Sequence, residues 1–213
     1  MVKIPGNIRV RFDYHVQNLL HEGKVPLTIV RGGKEMKNSL PVQARYPIVI
    51  PALNGAYPSY FIFGPLVFSN ATMDFIGGYA KANAANGNIM TGFLSSPLVK
   101  RMMEKPTFPD EQLVVVSSPF FPHKLSEGYG NPMANVLKSV SGIPIKNLAH
   151  LVEVLRDSKD EFLSFEFSNQ FCETLVFNRS EIVASTEGIL SDNGIRSQGT
   201  RDTLAVWSAK QKN

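Results

Sequence analysis

Cysteine is almost missing from these 213 residues. Cys172 stands alone, so no intramolecular disulfide can form and the core must hold the fold. It lies in the apolar stretch Phe171 to Phe177, which suits a buried thiol better than a nucleophile. Histidine is scarce too. His15, His21, His123 and His150 are the full set, and none lies beside a Gly-flanked serine or in metal-ligand spacing. That leaves no nucleophile, imidazole and carboxylate constellation for hydrolysis, no metal site, and a structural role for each imidazole. No Gly-rich loop follows a strand and opens a helix, so no phosphate cradle and no cofactor is expected. No apolar run approaches the ~20 residues that cross a bilayer, and the N-terminus lacks a secretory leader pattern.

What is present is ordinary core material. The chain is 43% hydrophobic and 19% charged, enough to build a sizeable core. The formal net charge is +4, which raises the question of nucleic acid. Basic residues are interleaved with acids, however, and the densest group, Lys100, Arg101 and Lys105, also holds Glu104. A nucleic-acid footprint is a concentrated basic stripe, so this is the least favoured reading.

Along the chain, Ile8 to Phe12 and Val25 to Val30 read as strands. The turn at Arg31 to Lys34 leads into a third strand ending near Val42. Residues 43–58, with Pro47, Pro51, Pro58 and Asn54-Gly55, read as an extended connector. Ser59 to Phe63 is an aromatic strand broken by Gly64-Pro65 and resumed at Leu66 to Phe68. From about 70 to 110 the composition changes. Thr72 caps an expected helix carrying Phe75, Ile76 and Tyr79, Ala84 to Gly92 reads as loop, and Ser96-Pro97 opens a second helix with Leu98 and Met102 at i, i+4. Leu113 to Val116 and Val136 to Val140 read as strands. Asn147 caps an amphipathic helix with Leu148, Leu151, Val152 and Leu155 at i, i+3, i+4, i+7. Phe162 to Phe167 and Thr174 to Phe177 are two more strands. The chain then reads as weakly helical after Ser185 and frayed beyond Gln198, despite Trp207.

Several of these segments, in this order, resemble one family. Pro58 to Phe68 resembles the opening of the C-terminal PDZ-like domain of Deg (Do-like, HtrA-type) serine proteases. Glu111 to Ser117 resembles that domain's next strand after a similar insertion, and Ser139 to Leu148 the element leading into its second helix. Gly23 to Lys34 resembles a hairpin in the second half of the preceding PDZ domain. The resemblance implies an α+β fold: a PDZ-like, partly open β-barrel or sandwich with two flanking helices and a helical insertion, preceded by a short β-rich half PDZ-like unit. The implied domains are 1–42 for the half unit, 43–58 for the linker, 59–197 for the PDZ-like domain with its insertion at about 70–110, and 198–213 for a flexible tail. The protease domain and its triad have no counterpart here, so the chain is expected to be non-catalytic although the family is one of serine endopeptidases.

PDZ-type modules capture an extended peptide as an added strand. The resemblance puts the carboxylate-holding loop at Phe63, Gly64, Pro65 and Leu66, the strand-accepting edge at Leu66, Val67 and Phe68, and the groove-facing helix positions at His150 and Val154. Pro65 carries no N–H, which favours a groove that is closed, or filled by an internal segment or a neighbouring subunit. Phe75, Ile76, Tyr79, Leu98 and Met102 are the candidate interface if exposed, and an extra core layer if buried. The expected partners are protein or peptide segments, including further copies of the chain in a homo-oligomer. A half domain would leave strand edges near Ile8 to Phe12 or Val25 to Val30 prone to pairing. Assembly and regulation of a protease is the leading reading and a stand-alone peptide-binding scaffold the alternative. The family resemblance alone would place a bacterial member in the periplasm or cell envelope.

Overall fold

A computed structural model describes residues 1–42, 46–169 and 171–209, with the backbone alone at 88–91. The chain divides into two compact units, Met1–Tyr46 and Pro47–Asn213.

In the first unit a short antiparallel hairpin, β1 (Val2–Ile4) and β2 (Ile8–Val10), precedes helix α1 (Phe12–Leu19). The long hairpin β3 (Lys24–Arg31) and β4 (Lys34–Pro41) follows. Its turn is the expected one: Gly32 and Gly33 take φ of 59° and 74°, the two positive values a type I′ hairpin turn requires. Pleating puts Val25, Leu27 and Ile29 opposite Leu40, Asn38 and Met36 on one face. The strand expected over Ile8 to Phe12 ends at Val10, because Phe12 opens α1 with Val16 and Leu19 at helical spacing.

The second unit begins with the connector, whose start at 43–45 lies outside the described residues. Val49 and Ile50 are fully buried, so the connector is partly core. Strands β5 (Tyr60–Phe63) and β6 (Leu66–Asn70) lead into helices α2 (Met73–Ala82), α3 (Gly87–Leu94) and α4 (Pro97–Lys100). Thr72 caps α2 by accepting from the Phe75 N–H at 3.1 Å, and Ser96 caps α4 by accepting from Leu98 at 3.2 Å. The loop expected over Ala84 to Gly92 is instead largely α3. Strand β7 (Val114–Val116) completes an antiparallel sheet in the order β5-β6-β7. Strands β8 (Leu137–Val140), β9 (Ile143–Pro144), β10 (Phe162–Phe167) and β11 (Leu175–Asn178) form a second sheet ordered β11-β10-β8-β9. Both sheets are open, with no closed barrel among the described residues, and the class is α+β as expected.

Helix α5 (Leu148–Asp157) lies between β9 and β10 in the chain. The Asn147 side chain accepts from the His150 N–H at 2.8 Å, and the expected stripe of Leu148, Leu151, Val152 and Leu155 is buried. At about 1.5–3 kcal/mol per large apolar side chain, that stripe anchors the helix in the main core with Phe61, Phe63, Phe68 and Phe165. A second cluster gathers Val49, Ile50, Ile76, Phe93 and Leu98 against Val115 and Val136. Two helices close the chain, α6 (Arg179–Asp192) and α7 (Arg201–Trp207). The frayed tail expected beyond Gln198 is therefore ordered through α7. Its Thr203 is buried and Trp207 packs on the main core; residues 210–213 lie outside the described residues.

Candidate functional site

The Gly64-Pro65 pair is the two-residue turn between β5 and β6. Gly64 has φ of 55°, while the Pro65 ring forces a negative φ; a hairpin turn with this sign pattern is type II′. The turn does not offer a cradle. The Gly64 N–H donates to Thr186 Oγ1 of α6 at 2.9 Å in a buried setting, and that hydroxyl donates to the Ile182 carbonyl at 2.8 Å. A Cβ at Gly64 would run into the Ile182 side chain. Phe63 and Leu66 are fully buried. The donor expected for a carboxylate is thus spent on α6, and Pro65 supplies none.

Nor is the expected edge free. Strand β6 pairs with β5 on one side and, through Phe68, Ser69 and Asn70, with β7 on the other. Beyond that ladder, the Ser117 N–H donates to the Val67 carbonyl at 2.9 Å and the Phe121 N–H to the Pro65 carbonyl at 3.0 Å. Leu66, Val67 and Phe68 therefore belong to an inner strand. Strand β7 and the segment that follows it use up the acceptors that an added strand would need.

The outer edge of this sheet is β5, and the chain's own C-terminal segment lies on it. The Ile62 N–H donates to the Gln198 carbonyl at 2.7 Å, and Gln198 Nε2 donates back to the Ile62 carbonyl at 2.9 Å. Phe61 faces Gly199 in an antiparallel bridge. The Thr200 N–H donates to the Tyr60 carbonyl at 3.1 Å, and the Tyr60 N–H to Thr200 Oγ1 at 3.2 Å. Thr203 Oγ1 then donates to the same Tyr60 carbonyl at 2.8 Å. The Trp207 ring closes the arrangement, with centroids 5.3 Å from Phe61 and 6.2 Å from Phe63. Helix α7 also packs on α5, whose Arg156 guanidinium donates to the Val206 carbonyl. Beside Trp207 remains a cavity of about 290 Å³, bounded by Phe63, by Val183, Thr186, Glu187 and Leu190 of α6, and by Gln198.

Sequence reasoning missed this edge. His150 and Val154, expected to face the groove, are half-buried and line a separate cleft with Ser141, Ile143 and Asp157. The structure does not bring them together with Gly64. His150 Nδ1 accepts from the Lys146 N–H at 3.3 Å; burial, then the charge of Lys146, hold its pKa below the usual histidine range. Of the candidate interface residues, Ile76 and Leu98 are buried, while Phe75, Tyr79 and Met102 are half-buried against the second cluster. They form a core layer, which the Phe75–Tyr79 and Tyr79–Phe93 ring contacts at 6.2 and 5.0 Å knit together.

Within the densest basic group, Arg101 is spent locally. Arg101 donates to Glu104 at 2.8 Å and to Glu111 at 2.6 Å. Glu111, itself buried, also accepts from the N–H and hydroxyl of Thr107 at 2.6 and 2.8 Å. The Arg101 hydrogen bond is the first cause that lowers this carboxyl from 4.5 to about 2. Burial pushes the half-buried Cys172 thiol up to about 11, against a nucleophilic role. Among the described residues no group of His, Cys, Asp and Glu could hold a metal, and no helix is long and apolar enough to cross a membrane.

Comparison with known proteins agrees with this architecture. Residues 50–202 match a PDZ-domain family. Relatives from Arabidopsis thaliana include the chloroplastic Protease Do-like 2, 26% identical over 93% of this chain but 31% of its own length. The mitochondrial Protease Do-like 4 is 26% identical over 91% of this chain and 33% of its own length. The putative mitochondrial protease Do-like 11 is 25% identical over 91% and 29%. The chain thus spans about a third of the length of these relatives, aligning with their PDZ-bearing region. With that match across most of its second unit, the chain belongs to the PDZ-domain family.

Proposed function

We propose that this chain is the non-catalytic PDZ-bearing region of a Deg/HtrA-type serine protease, where it serves subunit assembly and regulation of the protease by engaging peptide segments. The observation that carries the reading is the β5 edge, on which an extended segment lies antiparallel and exchanges main-chain hydrogen bonds. That is the strand-addition chemistry by which such modules bind proteins. In this reading residues 1–42 are the closing half of a preceding PDZ-like domain. Their β3-β4 hairpin supports a role in assembly, because Leu27, Met36 and Leu40 on its apolar face stay exposed and such faces pair or are covered.

Light scattering of the chain across a wide concentration range tests the assembly role. A discrete dimer, trimer or larger closed oligomer is expected. A monomer at every concentration would refute it and leave peptide engagement as the remaining role.

A further inference from the structure

We propose that the outer edge of β5 is the strand-accepting edge of this module and that residues Gln198–Trp207 are its ligand, carried in cis and exchangeable for the same segment of another molecule. The inference rests on the reading of the chain as a peptide-engaging module. It adds the location of the edge, the chemistry of the peptide, and the latch that holds the edge shut.

The segment attaches as a ligand does. Outside its own helix and the adjoining Ser197, its main chain bonds to Tyr60 and Ile62 of β5, through a single antiparallel bridge at Phe61 and Gly199, and at Val206 to the Arg156 side chain of α5. Helix α7, at seven residues, is too short to persist unaided in water, so docking on α5 and β5 is what keeps it helical. A cavity of about 290 Å³, bordered by Val183 and Leu190 of α6, adjoins the segment beside Trp207.

The contacts define what the edge accepts. The residue facing Phe61 must be small, because a Cβ on Gly199 would stand 2.5 Å from Thr203 Oγ1 of the same segment, 3.0 Å from the Tyr60 carbonyl and 3.1 Å from the Phe61 ring. Its neighbours must return hydrogen bonds to β5, as the Gln198 amide and the Thr200 hydroxyl do. A large aromatic ring must follow to cover Phe61 and Phe63. The ligand is therefore an uncharged Gln-Gly-Thr stretch followed by an aromatic anchor, which a second copy of this chain carries.

Two full-length variants open the edge. In Gly199→Val the side chain collides with Thr203 Oγ1 and the Tyr60 carbonyl; in Trp207→Ala the anchor is removed without strain at the bridge. The probe is a fluorescein-labelled synthetic peptide of residues 196–209, read by anisotropy, with amide hydrogen exchange followed at Ile62 and at Leu151 of the core. In both variants the Ile62 amide is expected to exchange at least about tenfold faster while Leu151 stays protected. The peptide is expected to bind them at least about tenfold more tightly than wild type, whose closed edge taxes its apparent affinity. The proposal is overturned if variants with an open Ile62 amide fail to bind the peptide, or if wild type and variants bind it equally. It is equally overturned if Trp207→Ala loses protection at Leu151 together with Ile62, since the segment would then be core rather than ligand. A monomer in light scattering would refute the assembly role while leaving this exchange intact, so the two failures are distinguishable.

Discussion

Replacing Glu111 with Gln isolates the worth of one buried charge. Glutamine keeps the shape and can still accept from Thr107, but it presents a neutral amide to the Arg101 guanidinium 2.6 Å away. Moving a carboxyl from 4.5 to about 2 corresponds to ~3 kcal/mol at about 1.4 kcal/mol per pH unit. The Arg101 side chain keeps 24% of its surface in water, and screening trims the expected loss to about 2 kcal/mol. Because the folded pKa is depressed, the stabilisation is fully present above about pH 5 and disappears as the pH falls through about 2. The second unit carries Glu111 and all the helices but α1, so the helical circular-dichroism signal reports its unfolding. Denaturant melts of wild type and Glu111→Gln at pH 7 should differ by about 2 kcal/mol, or about 4–8 °C in thermal scans. At pH 3 the gap should be visibly smaller. Equal stability at pH 7, or a gap that does not shrink in acid, would refute the idea that the ion pair staples the insertion.

Three further outcomes follow from local chemistry. Thr186→Val removes the acceptor of the buried Gly64 N–H, and an orphaned buried donor costs about 1–3 kcal/mol; an unchanged denaturation midpoint would show that the turn finds another partner. Ser141 holds φ of 47° and a buried hydroxyl oxygen without a partner among the described residues. Ser141→Gly should therefore raise stability by about 1 kcal/mol, and a lower melting temperature would contradict this. Alkylation of Cys172 should accelerate about tenfold per pH unit from 7 to 10, since burial holds its thiol at about 11; a rate that levels off by pH 9 would show an ordinary thiol.

Elements with a local signature were readable. Helix α5 announced itself through the Asn147 cap and a buried stripe at helical period, and the β3-β4 turn through paired glycines that alone take its φ values easily. Helix α6 was readable in principle: Asn178 accepts from the Glu181 N–H at 3.1 Å, a cap-and-acid pattern that lies ahead of the stretch expected to be helical. Helix α3 was not, because Gly87 and Gly92 weaken its intrinsic propensity; what fastens it is the burial of Phe93 against residues from elsewhere. The candidate site was the least legible part. Gln198 and Ile62 meet across 136 positions, and strand addition by a Gln-Gly-Thr stretch leaves no periodic trace. Helix α7 looked polar because the residue it buries deepest is Thr203, whose hydroxyl is satisfied by Tyr60.

Strand β7 has a use beyond completing a sheet. Val114 and Val116 point into one core while Val115 points into the other, where it meets Val136. A three-residue strand is thus a shared wall with no wet side. An engineer who trimmed the excursion between β6 and β7 down to a tight loop, to make a minimal module, would strip the cover from that wall and leave Val115 and Val136 facing water side by side. The helical excursion therefore cannot be treated as removable cargo, and homologues that shorten it must refill the space it occupies with side chains from somewhere else.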